Sequence, residues 1–288
     1  MITAQIKGGL GNQMFQYAMA RALGLRTGRS TALDITSMKR DAYRKFELPH
    51  FNIEARVLTS KWQRPPKFKS GLQQTIANHI LSCLGQQKRV SEAGHGFSPE
   101  IARLNKRLYL TGFWQSELYF LDQQDAIRRE LTLKEPFAPA RQAVANDMAS
   151  GNAVSLHVRR GDYVLSPDIA DMLGTFSPEW YHAAMARIET RMPEARYFVF
   201  SDDPQWVRDN IRSNRPVTFV DPQDDGRHFE DMVLMSHCDA HILSNSTFSW
   251  WGAWLDSRPD KHVIAPSRWF RSEAICGDDI VPASWDRL

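Results

Sequence analysis

Ala153-Val154-Ser155-Leu156-His157-Val158-Arg159-Arg160-Gly161-Asp162-Tyr163 decides the fold. A short apolar run leads straight into two arginines, a glycine and an aspartate, which reads as a buried strand with charge at its carboxyl end. A regular alternation follows. Helix Pro178 to Met192, strand Tyr197 to Ser201, helix Pro204 to Ile211 and strand Val217 to Val220 come first. Helix His228 to Ser236, strand Ala240 to Leu243, helix Thr247 to Leu255 and strand His262 to Ala265 complete the series. Short apolar strands alternating with helices imply an α/β fold with a parallel sheet covered on both faces. Ligands of such sheets sit beyond the carboxyl ends of the strands, which is where Arg159 and Arg160 fall.

Moving towards the amino terminus, Pro139 to Ala149 and Leu118 to Leu131 carry helical patterns and Arg107 to Phe113 a strand pattern. Between Thr36 and Asn105 the periodicity weakens, with Pro49, Pro65, Pro66 and Pro99 and one amphipathic stretch, Leu72 to Leu84. The chain opens on a second βαβ unit: strand Thr3 to Ile6, a turn at Gly8-Gly9-Leu10-Gly11, helix Asn12 to Leu25 and strand Thr31 to Ile35. Phe15, Met19, Ala22 and Leu23 fall on one face of that helix.

With 42% hydrophobic and 24% charged residues in 288, the chain can bury one large core or two modest ones. Its longest apolar runs fall far short of the ~20 residues that cross a bilayer, so neither a signal peptide nor a membrane span is read. Cys83, Cys238 and Cys276 form neither a disulfide framework nor a C-x-x-C clip, which fits a reducing cytoplasm. The net charge of +3 is uneven. Residues 1–110 hold 18 Lys and Arg against 6 Asp and Glu, a balance of +12, leaving 18 against 27, or −9, for the rest. The basic part includes Lys61, Arg64, Lys67, Lys69, Lys88, Arg89 and the run from Arg103 to Arg107. Such a surface favours an anionic partner, and the expectation is reversible contact with an anionic membrane. An ordinary solvated surface would read the same way.

Paired arginines at a strand end suit a diphosphate, because a planar guanidinium donates two parallel hydrogen bonds and keeps its charge. They can stabilise a departing nucleoside diphosphate without a metal. Charges merely solvated or internally paired are the plainer alternative. At Gly8 to Ala18, glycines and the amides of a helix N-terminus favour an anion. Gly9-x-Gly11 with Asp34 ending the next strand imitates a dinucleotide turn, but Met14 occupies the third glycine position. At Ser244-Asn245-Ser246-Thr247-Phe248-Ser249-Trp250-Trp251-Gly252-Ala253-Trp254, Ser246 or Thr247 caps a helix. Trp250 and Trp254 share a face, leaving Trp251 to line the cleft between two halves. Asp202-Asp203-Pro204 ends a strand and Glu230-Asp231 opens a helix. No Asp-x-Asp occurs anywhere, and His50, His79 and His95 form no ligand-spaced set, so no metal site is expected.

Together, Gly8 to Ala18, His157 to Tyr163 and Ser244 to Trp254 resemble the three signature blocks of the α-1,2-fucosyltransferases, glycosyltransferase family 11. The likeness covers the start of the chain and the part from about Ala153 to Ala265. It implies a GT-B-like fold of two Rossmann-type domains with parallel sheets facing a cleft, here an acceptor-side domain at 1–140 and a GDP-fucose domain at 141–288. It also implies a GDP-β-L-fucose donor, no cofactor or essential metal, and inversion to an α-1,2 linkage on O2 of a galactose-terminated, lipid-linked acceptor. That would place the enzyme in the cytoplasm, on the inner face of a bacterial plasma membrane, with no nucleic-acid partner. More distantly, His157 to Asp162, Asp202-Asp203-Pro204 and Asp231 are similar to donor-site elements of the α-1,6-fucosyltransferases. There the first arginine holds the β-phosphate and the aspartate meets the guanine edge.

The resemblance implies catalytic roles for Arg159 and Asp162. It implies substrate contacts for Gly9, Asn12, Gln13, His157, Arg160, Asp202, Asp203, Asp231, Ser246, Thr247 and Phe248. The acceptor-activating carboxylate of those relatives aligns near Pro167, so the general base rests between Asp162, Asp168 and none. Two competitors stand beside this reading: a nicotinamide-dependent oxidoreductase using Gly9 to Asp34, and a non-catalytic glycan-binding module.

Overall fold

The computed structural model describes residues 1–41, 43–60, 64–68, 70–94, 96–223, 226–273 and 275–288. Lys61, Lys69 and His95 lie outside the described residues. The chain divides into two compact units, Met1–Lys134 and Glu135–Leu288. The division precedes the expected 140/141 boundary, because the segment before Pro139 is already bonded into the second unit. Ala138 N donates to Glu230 Oε1 at 3.0 Å, and Arg227 Nη2 to the Pro136 carbonyl at 3.0 Å.

The first unit contains strands β1 (Ile2–Gln5), β2 (Thr31–Asp34), β3 (Arg56–Leu58), β4 (Lys88–Ser91) and β5 (Leu108–Thr111). Its helices are α1 (Leu10–Thr27), α2 (Gly71–Cys83), α3 (Pro99–Ala102) and α4 (Gln124–Glu130). The strands form a sheet in the order β3-β2-β1-β5-β4, with each neighbouring pair parallel. The expected helix from Leu118 is instead two 3-10 turns, Glu117–Tyr119 and Leu121–Gln123, before α4. Gly8 takes φ +80°, and a Cβ there would come within 2.9 Å of the Asn12 side chain, so the turn into α1 requires glycine. Gly28, left-handed at φ 61°, closes α1 by donating to the Gly24 and Leu25 carbonyls. Helix α1 buries far more than one stripe: Leu10, Phe15, Tyr17, Met19 and Leu23 are all enclosed.

Two arginines of the basic half turn inward. Arg64 Nε meets the buried Asp34 at 2.5 Å, and Arg89 lies 4.7 Å over the Tyr109 ring with Nη2 donating to the Pro65 carbonyl. They are therefore not lipid-facing, as charge alone had implied.

The second unit contains β6 (Ala153–Val158), β7 (Arg196–Ser201), β8 (Val217–Val220), β9 (Ala240–Ile242), β10 (His262–Ala265) and β11 (Asp286–Arg287). Its helices are α5 (Pro139–Met148), α6 (Gly161–Leu165), α7 (Pro167–Met172), α8 (Pro178–Glu189), α9 (Pro204–Asn210), α10 (Phe229–Met235) and α11 (Thr247–Leu255). The sheet runs β11-β10-β9-β6-β7-β8, again parallel at each pairing. One face packs Tyr181, Ala184, Met185 and Ile188 of α8 on Val154, Leu156, Val199 and Ile242. The other packs Leu234, Met235 and Cys238 on Phe198 and Phe200. The Val, Leu, Ile, Met and Phe side chains among them each contribute about 1.5–3 kcal/mol by leaving water.

A polar seam crosses this core. Ser155 Oγ and His241 Nδ1 are 2.8 Å apart, His241 Nε2 and Asp256 Oδ2 3.0 Å, and Arg258 Nε donates to Asp256 Oδ1 at 2.8 Å. Burial holds His241 below the usual histidine range despite Asp256. Burial pushes the Asp256 carboxyl upward, but bonds from His241 and Arg258 outweigh it and hold it at about 2. A neutral ring donating from Nε2 to a carboxylate, and accepting the Ser155 hydroxyl at Nδ1, satisfies every partner.

Candidate active site

The second sheet reverses its strand order once, and Arg159, Arg160, Asp202, Asp203 and Ser246 follow strands at or next to that point. In the second unit the reversal lies between β6 and β9. His157 Nδ1, at the end of β6, is 2.9 Å from Ser244 Oγ just beyond β9. The ring is enclosed, and burial together with the Arg159 charge lowers its pKa to about 3, so it stays a neutral imidazole. Phe248 stands 5.9 Å from it and 6.3 Å from His228.

After β6 the backbone leaves the sheet, and Arg159 and Arg160 point into a cluster of carboxylates. Asp162 Oδ1 accepts from Arg159 Nε at 3.0 Å and Nη2 at 2.7 Å, while Arg159 Nη1 lies 3.1 Å from Asp202 Oδ2. Burial works against this guanidinium's charge, but Asp202 and Asp162 outweigh it and raise its pKa. Arg160 engages Asp203 Oδ2 through Nε at 3.1 Å and stacks 4.3 Å over Trp206. Asp203 also caps α9, accepting from Trp206 N at 3.1 Å. Gly161 sits so close that a Cβ would fall 2.5 Å from Asp202 Oδ2. The two arginines are thus fixed in place by three carboxylates, as an anion site needs if little is to move on binding.

Asp231, at the start of α10, pairs with the buried Arg141, whose Nε lies 2.5 Å from Oδ1. That oxygen receives no aligned hydrogen bond. Burial lifts the carboxyl to about 6 against the opposing pull of Arg141 and His228. Ser246 caps α11, accepting from Phe248 N at 3.3 Å, and Thr247 is that helix's first residue. Asp168 is exposed in the first turn of α7.

Trp251 does not line a cleft. It is fully buried, edge-on to Trp250 and Trp254 at 5.0 and 5.2 Å. Sequence reasoning missed Asn245, whose Nδ2 donates to the Leu173 and Trp269 carbonyls while its own carbonyl accepts from Tyr163 OH. Its Oδ1 is buried without a partner. A lone Asn before a capping serine carries no periodic signal that could have singled it out. A cavity of about 310 Å³ beside Ala149, His237 and Arg258 lies at the C-terminal ends of α5, α10 and α11, at the opposite end of the sheet from the arginines.

In the first unit the candidate residues follow β1, which lies between β2 and β5. Gly9 precedes α1 in extended backbone, and Asn12 Oδ1 accepts from Gln115 Nε2 at 2.7 Å. Gln13 departs from its expected substrate role. It is fully buried, donating to the Gly8 and Lys45 carbonyls and accepting from Glu47 N, and so braces a loop from inside. Asp34 is likewise enclosed by Arg64, Tyr109 and Thr36, and cannot meet a ribose hydroxyl. With Met14 buried at the third glycine position, the nicotinamide reading loses both of its supports.

The model of the family described as glycosyl transferase family 11 matches residues 99–287. The chain belongs to glycosyltransferase family 11. This family 11 chain is 30% identical over 300 residues to an Escherichia coli α-1,2-colitosyltransferase, covering 100% of itself and 99% of the relative. It is 33% identical over 287 residues to the Escherichia coli O-antigen biosynthesis glycosyltransferase WbnK, covering 92% and 93%. Among solved structures, the fucosyltransferase NodZ from Bradyrhizobium matches with a TM-score of 0.52 and 16% identity over 96% of each chain. That likeness carries the fold, two parallel-sheet α/β units of GT-B-like type, and nothing finer.

Proposed function

We propose that this chain transfers L-fucose from GDP-β-L-fucose to O2 of a galactoside with inversion, building an O-antigen or other surface glycan. The observation that carries the reading is the arginine pair, held by Asp162, Asp202 and Asp203 at the reversal point of the second sheet. The acceptor O2 forms a bond to the anomeric carbon as the bond to the β-phosphate oxygen breaks. That bond's electron pair leaves with GDP, and the O2 proton passes to solvent or a carboxylate. Arg159 and Arg160 meet the charge growing on the diphosphate, the kind of stabilisation worth about 3–4 kcal/mol per donor. Asp162 holds Arg159 by two bonds and so acts as its positioning group. Asp231 takes the N–H edge of guanine, and His157, Ser246, Thr247 and Phe248 border the nucleotide. Asn12 and Gly9 serve the acceptor side.

A second reading, transfer of colitose, is favoured by the full-length likeness to the colitosyltransferase. The test is a donor and acceptor screen in EDTA with NMR of the product linkage. An α-1,2-linked fucoside supports the first reading and colitose transfer alone the second. Binding of galactosides without release of GDP would reduce the chain to a binding module.

A further inference from the structure

Helix α2 leaves an apolar stripe uncovered. It packs on the edge strand β4 through Asn78, whose Nδ2 donates to the Arg89 carbonyl at 2.9 Å and whose Oδ1 accepts from Arg89 N at 3.0 Å. That contact uses the half-buried face of Gln74, Ala77, Asn78 and Leu81. Leu72, Ile76 and Ile80 recur every four residues on another face, with Leu84 just past the helix end, and stand 71%, 53%, 54% and 66% exposed in the whole chain. No residue of α2 is buried. Singly exposed apolar residues are ordinary, but four in register along one helix need an apolar environment.

Charge says which one. Gly71–Cys83 contains no acidic residue, and cations stand at both ends. Lys67 and the part-exposed Phe68 precede the helix. After it, Arg107 Nη1 donates to the Gly85 carbonyl at 2.9 Å, and partial burial, with the nearby Lys106 charge added, lowers the pKa of Lys88. Lys67, Lys106 and Arg107 are exposed. An apolar stripe rimmed by lysine and arginine matches the boundary between acyl chains and anionic headgroups. A second protein would have to supply both an apolar groove and a ring of carboxylates.

We propose that α2 docks this chain on an anionic phospholipid bilayer, with Leu72, Ile76 and Ile80 at the acyl boundary and Lys67, Lys88, Lys106 and Arg107 on lipid phosphates. Such a contact is peripheral, and no described helix is long and apolar enough to cross a membrane. Its test needs no sugar donor, so it stands or falls apart from the transferase reading.

The full chain is co-sedimented with vesicles of phosphatidylcholine alone or mixed with phosphatidylglycerol, at low and high salt. Binding should be at least ~10-fold stronger to the anionic vesicles and fall steeply with salt, since the attraction is screened over about 8 Å at physiological ionic strength. Ile76→Glu with Ile80→Glu should lose at least ~10-fold of that binding with an unchanged melting temperature. Ile76→Ser with Ile80→Ser is the milder control should the glutamates disturb folding. Lys106→Glu with Arg107→Glu should weaken the preference for anionic lipid. No binding at low salt, equal binding to both vesicles, or full binding by both Ile variants would overturn the proposal. So would dimerisation in sedimentation velocity that the Ile variants abolish, with no vesicle binding, since the stripe would then belong to a second copy.

Discussion

Asp202 Oδ2 stands 3.1 Å from Arg159 Nη1, while Oδ1 of the same carboxylate accepts from the Arg160 amide at 2.9 Å. One side chain therefore fixes both the backbone after β6 and the fork of its first arginine. Arg159→Lys keeps the charge and loses the fork, so kcat should fall by at least ~100-fold with little change in stability. Steady-state kinetics on a variant with wild-type circular dichroism measures this. Near-normal turnover would place the diphosphate elsewhere.

Gly161→Ala should act at the same place by a different route. Its Cβ would fall 2.5 Å from Asp202 Oδ2, and that carboxylate cannot retreat without releasing Arg159 or the Arg160 amide. GDP affinity should drop by roughly 10-fold or more, since a loosened arginine no longer meets phosphate in a fixed pose. Calorimetric titration with GDP reads it, and wild-type affinity would show that the loop adapts freely.

Asp231 gives a pH signature. Burial lifts its pKa to about 6, above the roughly 3.9 of an unfolded chain. The folded state therefore holds this proton more tightly, and the resulting stability is complete below about 3.9 and lost as pH rises through about 6. Asp231→Asn has no such slope. Measured by urea unfolding between about pH 5 and pH 7, its stability relative to wild type should climb and then level off. A flat difference would mean that Arg141 keeps the carboxylate charged throughout.

Activity should survive EDTA. The sequence offers no Asp-x-Asp, and the arginine pair can carry the charge of leaving GDP. The check is the rate after chelation and again after added Mg²⁺ or Mn²⁺. An absolute metal requirement would sink this mechanism.

The parts of the chain that could be read early were those where one physical demand dominates. The central strands Ala153–Val158 and Arg196–Ser201 are buried on both faces and announce themselves by short, mostly apolar runs, broken in the first only by Ser155 and His157. Strands Arg56–Leu58 and Lys88–Ser91 were not legible. The first is three residues long and β4 is an edge strand rich in charge, so neither shows the alternation of a half-buried strand. At the site, charged residues at strand ends were visible because a parallel sheet puts function there. Gln13 and Asp34 misled because a buried amide or carboxylate satisfied by loops has the same letters as one waiting for a ligand. Only the partners distant in sequence, Lys45 and Glu47 for Gln13 and Arg64 and Tyr109 for Asp34, tell them apart.

Ser155, His241 and Asp256 are bonded in the order of a hydrolase triad, and none is more than 4% exposed. The ring nitrogens are exchanged relative to a serine hydrolase, in which Nε2 faces the serine and Nδ1 the aspartate, and Ser155 and His241 lie enclosed within the sheet. A fluorophosphonate probe, which needs a serine that is both activated and reachable, should leave Ser155 unlabelled in the folded chain. What separates a nucleophile from a rivet here is access, and the sheet denies it.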